Sequence, residues 1–211
     1  AVYGEPEYLP IDESHPTNPT NFYGFTKLTI EKLIEWYSHI HHINFSSLRY
    51  FNAVGYDLKK RILIAEKEPQ NLFPIIMEVS LGDKETMDVF GNDYDTPDGT
   101  CIRDYIHVND LSRAHIKALT YLVEKKENLC VNIGTGKGYS VFEAIKSAES
   151  ITGKKVSFNI TGRREGDPES LFAKSNLVNN LLEWSPQYSS LESIIQSMWT
   201  LYNKESQNAV H

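Results

Sequence analysis

Tyr23 and Lys27 stand four residues apart in "PTNFYGFTKLTIEKL", and such a pair could run acid/base chemistry. On a helix, side chains at i and i+4 share one face. A phenol must lose about three pH units from its ordinary value to act as a base at neutrality, roughly 4 kcal/mol of differential stabilisation. A neighbouring ammonium supplies part of that. Spacing alone decides little. With 12 tyrosines and lysine near 6% of average composition, about one such pair is expected by chance. The sequence has three: Tyr23/Lys27, Tyr56/Lys60 and Tyr121/Lys125. Tyr121 and Lys125 fall in the last turns of an amphipathic helix, where Lys suits the helix dipole and Tyr the core. Tyr56 and Lys60 fall in a polar, irregular segment where the spacing guarantees no contact. Tyr23 instead opens a helix after a Pro-punctuated loop, with Gly24 beside it to let a ligand approach.

The elements that must carry these residues alternate between strand and helix. Apolar residues at Leu28, Leu33, Ile34, Tyr37 and Ile40 predict a helix over 23–41. "INFSSLRYFNAVG" predicts a strand with an exit loop at Gly55, and "NLFPIIMEVSLG" a short helix stopped by Gly82. "MDVFG" and "CIRDYIHV" read as strands, with Asn109 or Asp110 as the cap of the helix that follows. "LCVNIG", a Gly-rich turn, "SVFEAIKSAESITG" and "KVSFNIT" form a strand, helix, strand unit. Two amphipathic segments, "NLVNNLLEW" and "SLESIIQSMWTLYNK", precede a polar tail. The opening "AVYGEPEYLP" reads as the end of a strand before a turn and has no initiator Met, so the chain reads as a piece of something longer. The alternation predicts a parallel α/β sheet with covering helices.

A chain of 211 residues, 40% hydrophobic and 23% charged, can bury a substantial core. A formal charge of −7 argues against a nucleic-acid or anionic-membrane surface. No apolar run reaches the length of a membrane span, and no signal segment opens the chain. Cys101 and Cys130 have the spacing of neither a disulfide framework nor a thiolate metal site, which suits a reducing, cytoplasmic setting.

"VYGEPEYLPIDESHPTNPTNFYGFTKLTIEKLI", "LRYFNAVG", "NLFPIIMEV", "VFGNDYDTPDGTCIRDYIHVNDLSRAHIKAL", "NIGTGKGYSV" and "TGRREGDP" occur in that order. Together they resemble the UDP-glucose 4-epimerases, members of the extended short-chain dehydrogenase/reductases, from Val2 to about Leu201. The resemblance implies the C-terminal part of a Rossmann-type parallel sheet plus a smaller α/β substrate-binding domain. Residues 1–55 would belong to the NAD-binding part and 56–211 mainly to the UDP-sugar part, with 101–126 returning to the first. The family's Gly-rich dinucleotide loop and its catalytic Ser or Thr have no counterpart here. The local candidate for a phosphate loop, Gly134-Thr135-Gly136-Lys137-Gly138, has Tyr139 at the third fingerprint position and matches a structural turn in the family.

By the same resemblance Tyr23 is the catalytic base, and Lys27 is its partner and a contact to the nicotinamide ribose of NAD. Tyr50 and Phe51 line the nicotinamide end. Asn52 reaches the substrate's phosphate region, Asn71 and Leu72 contact the nucleotide, and the main chain at Asp88 and Phe90 meets uracil. Arg103 and Arg164 hold the diphosphate, for which a fork-shaped permanent cation is suited, and Asp167 contacts a ribose. On residue type alone each has a plainer reading, an Asn bonding its own turn or an Arg in a surface ion pair. His107, on a strand, reads as a hydrogen-bonded structural histidine rather than a proton carrier. No metal is implied.

Two departures matter. "YDLKKRILIAEKEPQ" lacks the Gly-rich, acidic pattern common in the family, and Leu171 stands where some members carry Tyr beside the hexose, which would leave room for an N-acetylated sugar. The expectation is a UDP-glucose/UDP-galactose 4-epimerase of galactose metabolism that oxidises the sugar to a 4-ketone with NAD and reduces it again from either face. It would be a homodimer when complete, inactive as this piece, and open to a complementing N-terminal fragment. The alternatives are a nucleotide-sugar dehydratase, a decarboxylase, a UDP-N-acetylglucosamine 4-epimerase, or a silent binding module of the same fold. Dehydratases of the superfamily usually carry an acidic residue where Ala1 stands.

Overall fold

The computed structural model describes residues 1–62 and 64–208, with side chains described through residue 203. Leu63, inside the segment after Gly55, and the end of the polar tail lie outside the described residues. In chain order the elements are α1 (Phe22–His41), β1 (Ser46–Tyr50), β2 (Asn52–Val54), α2 (Leu72–Leu81), β3 (Met87–Phe90), β4 (Ile102–Arg103), β5 (Tyr105–His107), α3 (Val108–Lys125), β6 (Leu129–Ile133), β7 (Tyr139–Ser140), α4 (Val141–Thr152), β8 (Phe158–Thr161), β9 (Ser170–Leu171), α5 (Asn176–Leu182) and α6 (Leu191–Asn208).

Strand β1 pairs in parallel with β6, from Ser46↔Leu129 to Tyr50↔Ile133, and its other edge has no partner among the described residues. Strand alternation sends Leu48, Leu129, Val131 and Ile133 to one face, against Leu111, Ala114 and Ala118 of α3 and Val178 and Leu182 of α5. Helix α1 covers the opposite face, where Ser47, Arg49 and Asn132 point. A second core joins Phe73, Ile76 and Met77 of α2 to Ala144 and Ile145 of α4, Ile194, Ile195 and Met198 of α6, and β3. Strands β3 and β8 run parallel, as do β2 and β5, while β4 lies between parallel β9 and antiparallel β7. The fold class is therefore mixed α/β with parallel pairing, as the alternation predicted.

Several local expectations change. Ala1 to Tyr3 form no strand; Val2 and Tyr3 instead bury their side chains beside Ile11, Leu28 and Phe51. "CIRDYIHV" is two strands in different sheets, broken at Asp104, and residues 104–107 are all buried rather than alternating. The cap of α3 is His107, whose Nδ1 accepts from Asn109 N at 3.0 Å, and neither Asn109 nor Asp110 takes that place. Asp110 is fully buried and binds a distant loop, accepting from Gln187 N, Tyr188 N and Ser189 Oγ. The short strands β7 and β9 have no sequence signal of their own.

Helix α1 buries only Gly24 and Ser38, and Phe22, Phe25, Leu33, Trp36, Tyr37 and Ile40 are each more than half exposed. On the other side of the sheet Ile116, Leu119 and Val123 of α3 are equally uncovered.

Candidate active site

Asn21 starts α1 by accepting the Gly24 amide at 2.8 Å, an N-cap that fixes the turn carrying Tyr23. One turn on, Lys27 Nζ lies 5.2 Å from the centroid of the Tyr23 ring. Gly24 serves packing rather than ligand approach, correcting the expectation: a β-carbon there would stand 2.5 Å from the Ala1 carbonyl oxygen and 2.9 Å from Pro19 Cβ. Tyr121 and Lys125 stay structural, with the Tyr121 hydroxyl donating to Glu127 at 2.9 Å.

Tyr23 and Lys27 open onto a cleft of about 920 Å³. Its walls include every site residue expected from the sequence: Tyr50, Phe51, Asn52, Asn71, Leu72, Asp88, Phe90, Arg103, Arg164, Asp167 and Leu171 join the pair there. Parallel pairing of β4 with β9 sets Arg103 opposite Leu171. Arg103 donates to Asp167 at 3.1 Å and to the Ile102 carbonyl at 2.8 Å. The Arg164 guanidinium stacks 4.2 Å above the Phe90 ring. Asn71 caps α2 without using its side chain, which is left to the cleft. Asn52 Nδ2 is buried with no hydrogen-bond partner among the described residues, an uncompensated donor at the cleft wall.

The glycine turn after β6 is satisfied internally. Asp104 accepts from Thr135 N at 2.9 Å, Thr135 Oγ1 at 2.7 Å, Gly136 N at 3.2 Å and Ala173 N at 3.2 Å. Burial pushes this carboxyl above its ordinary pKa, and the hydrogen bonds oppose the shift. The carboxylate occupies the amides that a phosphate would need, so the turn is no dinucleotide loop.

His107 is fully buried. Its Nδ1 is an acceptor, so Nε2 carries the proton and donates to Ser197 Oγ at 3.2 Å. Ser197 also receives the Tyr56 amide at 3.1 Å, tying the segment after β2 to α6. Gly55 has φ +86, and a β-carbon there would stand 2.6 Å from the His107 ring. Burial lowers the His107 pKa, so the ring works as a neutral strut.

Sequence reasoning missed Glu31 and Arg49, which also line the cleft. Arg49 grips Glu31 at two points, Nε at 3.0 Å and Nη2 at 2.6 Å, and its Nη1 donates to Tyr3 Oη at 3.1 Å. Ser47 Oγ adds 2.9 Å to Glu31, and the Tyr3 hydroxyl donates to Asn132 at 2.6 Å. The available signal was Glu31 standing four residues after Lys27, and a charged residue in mid-strand.

A family model described as GDP-mannose 4,6 dehydratase matches residues 1–198. The chain belongs to that family. Within it, the chain is similar to a curated UDP-glucose 4-epimerase of Halalkalibacterium halodurans, 45% identical over 205 residues, covering 97% of this chain and 61% of that protein. A crystal structure of UDP-glucose-4-epimerase from Stenotrophomonas maltophila, with bound NAD and formylated UDP-arabinopyranose, superposes with a TM-score of 0.93 at 36% identity, over 98% of this chain and 62% of the other. The UDP-glucose 4-epimerase of Brucella ovis in complex with NAD gives 0.91 at 41% identity, over 95% and 62%. Family membership and similarity to epimerases agree with the resemblance read from the motifs. The chain spans about 61% of the length of the curated relative.

Proposed function

We propose that this chain is the C-terminal portion of a UDP-glucose 4-epimerase, interconverting UDP-glucose and UDP-galactose in galactose metabolism. The observation that carries the reading is the single cleft joining a Tyr–Lys pair, two arginines and an unpartnered amide donor. Tyr23 takes the proton of the sugar 4-hydroxyl and later returns it, and the Lys27 ammonium favours the phenoxide. Arg103 and Arg164 hold the diphosphate while the hexose turns, with Asn52 donating to a phosphate oxygen. Asp167 meets a ribose, Asp88 and Phe90 offer main-chain groups to uracil, and Asn71 and Leu72 bound the nucleotide. Position rather than covalent chemistry is the protein's contribution.

Bound NAD would supply hydride acceptance and return at the sugar C4. The residues present fit its nicotinamide end, with Tyr23, Lys27, Tyr50 and Phe51 on one cleft. They do not cradle its phosphates, because Asp104 fills the one glycine turn considered for that task. Those contacts fall to an N-terminal part joined along β1. Supporting that assembly, one edge of β1 has no partner among the described residues, and helices α1 and α3, with exposed apolar side chains, lie on its two faces. Residues 1–55 and 101–126 make the NAD-binding lobe, which β6 and α5 join through the core they share with α3. The rest forms the UDP-sugar lobe. The outer face of α1 suits pairing with its copy in a homodimer, and two free cysteines suit the cytoplasm.

NMR of the sugar products tests the reading. The complete protein with UDP-galactose should give UDP-glucose, and Tyr23→Phe should stop it. A 4-keto-6-deoxy product or no interconversion would refute it. The 211 residues alone, with NAD added, should show little or no turnover.

A further inference from the structure

Among the described residues helix α1 carries most of its apolar residues outward, with Leu28 packed inward beside Val2 and Tyr3, and side-chain hydrogen bonds tie it to β1 and to the segment before β6. Glu31 receives Ser47 and both forks of Arg49, and Ser38 bonds the Ile43 carbonyl at 2.6 Å and Asn128. The side chains of Glu31 and Arg49 are only 17% and 14% exposed. Glu31 also lies one turn beyond Lys27 on the same helical face, within reach of an i,i+4 ion pair. Lys27 nevertheless makes no ion pair among the described residues.

We infer that Glu31 and Arg49 are positioning residues for the Tyr23–Lys27 pair: Arg49 fixes α1 on β1 by a two-point grip and holds the Glu31 carboxylate away from Lys27, leaving that ammonium to act on the phenol. A bidentate guanidinium suits this task because its planar fork leaves the carboxylate little freedom to swing back. Lys32 follows Glu31 directly but points off its face, so without Arg49 the cation on Glu31's own helical face is Lys27, one turn back, and pairing there would neutralise the charge that the phenoxide needs. The charged and titratable groups lining the cleft around the pair are Glu31 on α1, Arg49 and Tyr50 on β1, and Tyr3 in the entering segment, with Cys130 of β6 and Glu13 beside the Arg49–Glu31 grip. The reaction named for the pair rests on the epimerase reading, whereas the geometry does not.

The test is the titration of Tyr23 in the complete protein, labelled at tyrosine 13Cζ and assigned with Tyr23→Phe. Arg49→Met should raise the midpoint by about one pH unit, the effect of losing a nearby opposite charge. It should lower kcat near neutrality about tenfold, with KM unchanged. Adding Glu31→Gln to Arg49→Met should return the midpoint close to its native position, although a packing defect would only deepen. Arg49→Lys, which keeps a cation but loses the fork, should shift the midpoint the same way by less, and it stands in if Arg49→Met fails to fold. An unmoved midpoint in Arg49→Met or Arg49→Lys, or no recovery in the double variant, overturns the inference. If the midpoint moves as described while no UDP-sugar is epimerised, the pair's role stands and the epimerase reading falls.

Discussion

The Lys27 ammonium lies 5.2 Å from the centre of the Tyr23 ring, one helical turn along α1. On the epimerase reading, Tyr23 is the group that takes the sugar proton. Replacing Tyr23 by Phe should lower kcat by about 10²–10⁴, the range for loss of a general acid/base. UDP-sugar affinity measured by calorimetry should stay near native, because the arginines are untouched. A variant retaining its rate would remove Tyr23 from the reaction.

Arg164, stacked on Phe90, should contribute to nucleotide binding through its charge and its fork. Arg164→Ala should cost about 1.5–3 kcal/mol of UDP affinity in calorimetry, the worth of a hydrogen bond to a charged group. Arg164→Lys should fall between, since it keeps the charge without the planar donors. Equal binding by all three forms would exclude a diphosphate contact.

Burial lowers the pKa of His107, with Asp110 and Asp57 acting weakly against it. The native fold thus prefers the neutral ring, while the unfolded chain takes a proton below about pH 6.5. Its contribution to stability is full above that pH and is lost as pH falls toward the depressed native value. Denaturant unfolding of the complete protein across pH 5 to 8 should show this acid limb. His107→Asn should flatten it while costing about 1–3 kcal/mol at pH 8.

Gly134 has Asp104 Oδ2 and Ala173 Cβ each 2.6 Å from the place of a β-carbon. Gly134→Ala should destabilise by about 1–3 kcal/mol through overpacking, read as a lower denaturation midpoint. Unchanged stability would show that the turn can shift away from Asp104.

Leu171 lines the cleft opposite Arg103 on the paired strand. Leu171→Tyr should reduce turnover of UDP-N-acetylgalactosamine at least about tenfold relative to UDP-galactose, within the range that pocket shape alone discriminates. A native enzyme that already ignores the N-acetylated sugar would end this prediction.

Much of the fold and most of the cleft could be read from sequence because local period and ordered motifs carry them. Tyr23 and Lys27 were separated from two chance pairs by helix position, and Arg103 and Arg164 by their motifs. What escaped were contacts between residues far apart in the chain. Asp104 fills the amides of a turn 31 residues on; the motif already marked that turn as structural, but the carboxylate that satisfies it could not be read from the glycine spacing. His107 displaced the expected caps because its ring reaches the Asn109 amide while its far nitrogen meets α6. Glu31 and Arg49 are 18 residues apart, and their meeting depends on which face of β1 turns to α1.

The margin of β1 that has no partner among the described residues also bears on how these 211 residues behave alone. An unpaired strand flanked by greasy helices is a template for aggregation, so loss to precipitate should grow with concentration. Co-expression with a chain that supplies the adjoining strand should do more for yield than any change of buffer.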